Sequence, residues 1–113
     1  GITFRYTDLI KITGPIEKKI GKQEGGTHAD EIETSMMLYI APRTVNMKLA
    51  VKDYYPGQGR LIRDPKGEGT YSASGIWGDA TLATREKGRL IVNALIDGIV
   101  KEIEELRATE SKP

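Results

Sequence analysis

A chain of 113 residues, 38% apolar and 29% charged, has room for one domain with a thin core. Its net charge of +1 gives no broad basic field for nucleic acid, and with no cysteine it has neither disulfides nor thiolate metal sites. No apolar run approaches the roughly 18 residues of a membrane span, so no membrane is expected as a partner and a cytoplasmic setting is.

Residues 2–7 alternate Ile2, Phe4 and Tyr6 with Thr3, Arg5 and Thr7, which predicts a strand. A chain that opens on a strand with no lead-in is expected to be an incomplete domain. Gly14-Pro15 is a local breaker, and the basic stretch 15–22 predicts a single helical turn closed by Gly21. Gly25-Gly26 permits positive φ or a close backbone approach. Thr27, with Asp30 three residues on, makes a loose capping box for a helix. That helix should run to about Ile40, because Pro42 disfavours the α conformation at Ala41. Its apolar stripe is Ile32, Met36, Tyr39 and Ile40.

Residues 42–56 carry Val45, Met47, Leu49 and Val51 at period two, which predicts a short strand or extended segment. Residues 57–78 hold six of the thirteen glycines and little periodicity, as a long surface loop would. From about Asp79 or Thr81 to Arg107 the pattern is helical. Leu90, Ile91, Ala94, Leu95, Ile99, Ile103 and Leu106 form one core-packing stripe. Residues 108–113 should fray.

The lead to chemistry is GGTHADEIETSMML, residues 25–38, where the only histidine, His28, stands five residues ahead of Glu33. A lone histidine at a helix start has a plain reading as a capping or packing residue. Two preceding glycines and a nearby glutamate, which can orient or charge an imidazole, favour a functional one. Five positions on a regular helix separate side chains by about 140°. His28 and Glu33 therefore converge only if His28 lies in the turn before the helix. Glu33 should border the apolar face, partly buried, whereas Glu31 reads as a first-turn acid favourable to the helix dipole. Trp77, between Gly75 and Gly78, is either a loop anchor or an aromatic facing substrate or a second subunit. One histidine and helix-spaced acids supply no convergent ligand set, so no metal ligand is assigned within the chain.

His28-Ala-Asp-Glu-Ile-Glu33-Thr-Ser-Met-Met-Leu38, with Ser74-Gly-Ile-Trp-Gly-Asp79-Ala-Thr-Leu-Ala-Thr84-Arg-Glu-Lys87-Gly88 further along, resembles the carboxy-terminal half of the creatininase (creatinine amidohydrolase) family. Ala80 replaces a proline usual in the family, and Thr27 stands where creatininase has a glutamate. The resemblance implies an α/β fold of three layers, a largely parallel sheet flanked by helices, of which residues 1–113 form part. It implies a small-molecule substrate, an amide or cyclic amide, and a closed homo-oligomer, often a hexamer. It also implies divalent metal ions (Zn, Mn or Fe) that activate a water, with ligands outside this chain in the amino-terminal half of the fold. The family's pocket histidine and glutamate fall on His28 and Glu33. Two functions fit: the distal portion of a metal-dependent amidohydrolase, or a non-catalytic structural and assembly module of the same ancestry.

Overall fold

Two helix crossings organise the molecule. The computed structural model describes residues 1–55 and 61–110. The helices are α1 (Leu9–Ile20), α2 (Glu31–Ile40) and α3 (Arg85–Glu110), and α3 packs against both of the others. Four two-residue strands, β1 (Lys52–Asp53), β2 (Leu61–Ile62), β3 (Thr70–Tyr71) and β4 (Gly78–Asp79), make two small sheets. β1 and β4 pair antiparallel, with Lys52 opposite Asp79, and β2 and β3 pair parallel, with Leu61 opposite Thr70. The described residues are thus mixed helix and small sheets. None of their helices is long and apolar enough to cross a membrane.

The α2–α3 crossing is tight because both surfaces are small. Ser35 and Gly88 are buried at it, and a Cβ added to Gly88 would lie 1.8 Å from the Ser35 carbonyl oxygen. The Ser35 hydroxyl donates to the Glu31 carbonyl at 2.5 Å and accepts from the Thr84 amide at 3.0 Å. Thr84 in turn accepts the Lys87 amide, capping α3. Ile91 is fully buried, with Ile32, Ala80 and Ala83 completing a thin apolar core. Where α1 meets α3, Ile12 lies against Gly98.

Several sequence expectations change. Residues 2–7 form no strand: Ile2, Phe4 and Tyr6 are 99%, 82% and 80% exposed. The segment is tied to α3 instead, through Arg5 to Glu105 at 3.1 Å and Thr7 to Glu102 at 2.6 Å. Alternation defines two faces, but a strand also needs a neighbouring edge for its N–H and C=O groups. In place of one turn at 15–22 there is a twelve-residue helix that includes Pro15. Asp8 caps it by accepting the Lys11 amide at 3.1 Å, and its contact with α3 carries it through the proline. Residues 42–56 form 3-10 turns at Pro42–Thr44 and Met47–Leu49, leaving only β1 extended. Pro42 at a turn start and the Asn46 side chain, which accepts the Lys48 amide, offer local turns that win over the extended form. Within the loop expected at 57–78, residues 57–60 lie outside the described residues, and the rest is irregular apart from β2, β3 and the start of β4. The last helix begins at Arg85, after a 3-10 turn at Ala80–Leu82 whose cap, Asp79, accepts the Thr81 amide.

Candidate active site

Gln23 fastens the loop that carries His28. Its amide nitrogen donates to Asp30 at 2.7 Å, and its side-chain oxygen accepts the backbone N–H groups of Glu31 (3.2 Å) and Asp79 (3.1 Å). Asp30, not Thr27, is the N-cap of α2 and accepts the amides of Ile32 and Glu33. Gly26 and Gly78 let two backbones touch, since a Cβ at Gly26 (φ +156°) would lie 2.7 Å from the Gly78 Cα. His28 and Trp77 then form an isolated antiparallel bridge, the Trp77 amide donating to the His28 carbonyl at 2.8 Å. The Thr27 and His28 amides both point to the Trp77 carbonyl, at 2.9 and 3.3 Å.

This loop brings the histidine and the glutamate together. His28 precedes the N-cap by two residues, and Ala29 between them takes a left-handed conformation with φ +47°. A non-glycine residue there costs about 1 kcal/mol or more. The Ala29 amide donates to Glu33 Oε2 at 2.5 Å, and its carbonyl accepts the Thr34 hydroxyl at 3.1 Å, so α2 itself holds the turn. His28 Nδ1 consequently lies 3.9 Å from Glu33 Oε2, with both side chains about half exposed. The pair is within Coulombic reach, and a small movement would make it a hydrogen bond.

Two clefts flank the pair. Glu33 and Ala29 line one of about 370 Å³ whose other walls include Met37, Val45, Met47, Leu49 and Ile76. His28 lines a second of about 280 Å³ with Leu61, Ile62, Arg63, Ser72 and Gly75. The Trp77 ring is packed between Tyr54 and Tyr55, with centroids 5.1 and 4.9 Å away. Gly25 allows this stack, because a Cβ there would meet the Tyr54 ring at 2.4 Å.

The buried carboxylate is Glu31, not Glu33. Glu31 has no exposed surface; its Oε2 accepts the amides of Lys22 (2.8 Å) and Gln23 (2.7 Å), and its Oε1 pairs with the Lys87 ammonium. Burial pushes its pKa up, but Lys87 and the two amides outweigh burial and hold it below the usual carboxylate value. Lys87 also donates to the Leu82 carbonyl at 2.8 Å. Helical periodicity could have flagged Glu31 as adjoining Ile32 and Ser35, but no local signal names Lys87 as its partner. Sequence reasoning also missed Asp53. This residue accepts the hydroxyls of Ser74 (2.5 Å) and Ser72 (2.7 Å), which lower its pKa, and it lies 21 and 19 residues from them.

Among the described residues, no three His, Cys, Asp or Glu side chains stand together where they could hold a metal ion. Glu31 is engaged by an ammonium, Asp30 by backbone amides and Asp53 by hydroxyls, and Glu33 by the Ala29 amide, with His28 beside it. The described residues therefore do not fit the divalent centre that the family resemblance implies.

The helical scaffold thus presents a histidine–glutamate pair beside two clefts. The family model described as creatinine amidohydrolase matches residues 3–103, and the chain belongs to the creatininase family of amidohydrolases. Comparison with curated proteins and with solved structures gave no match.

Proposed function

We propose that the chain is the carboxy-terminal portion of a metal-dependent amidohydrolase that cleaves a small amide or cyclic amide. The observation that carries this reading is the 3.9 Å approach of His28 to Glu33 across a left-handed turn, within a chain matched by the family along most of its length. Amide cleavage requires that the departing nitrogen be protonated. Imidazole suits that transfer because its titration range lies nearest neutrality. Protonated His28 gives its proton to the leaving nitrogen, and the Glu33 carboxylate orients the ring and stabilises its charged form. Trp77, bridged to His28 through the backbone, either faces substrate or fixes the loop beneath it.

The divalent ions (Zn, Mn or Fe) belong, on this reading, to ligands outside this chain, in the other half of a three-layer fold with a largely parallel sheet. The complete enzyme is a cytoplasmic homo-oligomer. The non-catalytic alternative leaves the costly turn at Ala29 without a purpose.

In the complete enzyme, His28→Ala should lower kcat by roughly 10²–10⁴-fold with metal content unchanged. Glu33→Gln should act in the same direction, and the double variant should lose less than the product of the two. Loss of metal from His28→Ala would make His28 a ligand. Unchanged activity in both variants would leave the pair a helix cap and Glu33 no more than a helix acid.

A further inference from the structure

The cleft of about 280 Å³ that His28 lines and Glu33 does not has a charge pattern of its own. Among the described residues, Arg63 and His28 are the only ionisable ones that line it, and no described carboxylate does. The neighbouring acids are directed elsewhere: Glu33 lines the other cleft, and Asp53 is taken up by the Ser72 and Ser74 hydroxyls and the Ser74 amide. Arg63 is exposed, and among the described residues it has no ion-pair or hydrogen-bond partner. Ser72 is buried and committed, its hydroxyl lying 2.7 Å from Asp53 and 2.6 Å from the Ile76 carbonyl. It therefore closes the cleft without offering a free donor. Leu61 and Ile62 supply an apolar part of the same wall, next to Arg63 in the chain. This cleft is also more enclosed than the one at Glu33.

The geometry points to this cleft as an anion subsite, so that the substrate is an amide bearing a carboxylate on a short aliphatic spacer. The planar guanidinium fork of Arg63 matches a carboxylate, with two parallel N–H···O bonds. One arginine, with no second fixed cation and no helix N-terminus among the described lining residues, suits a monoanion better than a phosphate dianion. The apolar wall takes the spacer, and the amide end then lies at His28. Which bond is cut rests on the amidohydrolase reading; anion recognition does not.

The test compares succinamate, an amide with a carboxylate, with neutral succinamide, binding each to the 113-residue chain and tracking the His28 ring protons by NMR. Succinamate should bind roughly tenfold tighter or more, the usual effect of a charge-assisted contact, and the preference should shrink at high salt. Arg63→Gln should abolish the preference, and Arg63→Lys should keep part of it. Arg63 is exposed, so both variants should fold, which circular dichroism verifies. Equal binding of the two amides, no binding of either, or a preference that survives Arg63→Gln would overturn the proposal. In the complete enzyme, turnover of carboxylate-bearing amides unaffected by Arg63→Gln would sink the subsite and spare the amidohydrolase reading. Carboxylate-selective binding without turnover of any amide would do the reverse.

Discussion

A carboxylate with no exposed surface stays charged at the first position of α2 because its two oxygens meet one ammonium and two amides. Since those contacts lower the folded-state pKa of Glu31, their stabilisation is fully present above the ordinary value of 4.5 and is lost as pH falls through the depressed folded value. Lys87→Met removes the ammonium and leaves the buried charge short of its partner, which should cost about 3–5 kcal/mol near neutral pH in urea unfolding. In the variant only the two amides still oppose burial, so Glu31 is easier to protonate than in the parent. The difference from the parent should therefore narrow as pH drops below 4.5. A difference that stayed constant with pH would mean that the Lys87 stem, not its charge, matters. The sequence singled out the HADEIE stretch and left open whether His28 precedes the helix, because it put the cap at Thr27 and not at Asp30, and it took the wrong glutamate for the buried one. Glu33 lies close to the apolar stripe by helical angle, whereas the environment of Glu31 comes from Lys87, 56 residues away. No local pattern reports such a partner.

Among the elements, α2 and α3 were legible because each carries a stop signal or a long stripe: Pro42 ends α2 near Ile40, and Ile91 of the α3 stripe is fully buried. α1 was not, because Gly14-Pro15 is a breaker locally and only packing on α3 compensates. The segment at 2–7 failed for the opposite reason, its local pattern being sound while it pairs with none of the described strands. The crossings themselves depend on two glycines that differ in kind. A Cβ at Gly88 would strike backbone, the Ser35 carbonyl oxygen, whereas one at Gly98 would meet the Ile12 side chain, with Cγ2 at 2.6 Å. Backbone cannot yield without separating α2 from α3, and that separation also breaks the bond from Thr84 to Ser35. Gly88→Ala should therefore destabilise by about 3 kcal/mol or more. At Gly98, alanine's helix preference of about 1 kcal/mol offsets the displacement of Ile12, leaving a net change within about 1 kcal/mol. Thermal unfolding of the two variants checks the order, and a reversed order would contradict this account of the crossings.

At the scale of the whole molecule, apolar surface exceeds what the core absorbs. The chain extends 56 × 34 × 25 Å, and its buried apolar residues are only Ile32, Ala80, Ala83 and Ile91 among those described. Ile96, Val100 and Ile103, spaced four and three residues apart on α3, are about half exposed and share one face. Ile2, Phe4, Tyr6 and Ile10 are exposed more fully still. Apolar patches of this kind drive association, because covering them recovers roughly 25 cal/mol per Å² removed from water. Light scattering on the purified chain should accordingly give a mass above 12.5 kDa that rises with concentration. Replacing Val100 and Ile103 with lysine should shift the distribution toward monomer without loss of helix, since both side chains are already partly in water. A stable 12.5 kDa monomer across a concentration series would show that water tolerates these faces as they are. Association unaffected by the two lysines would move the contact from α3 to the segment at residues 2–10.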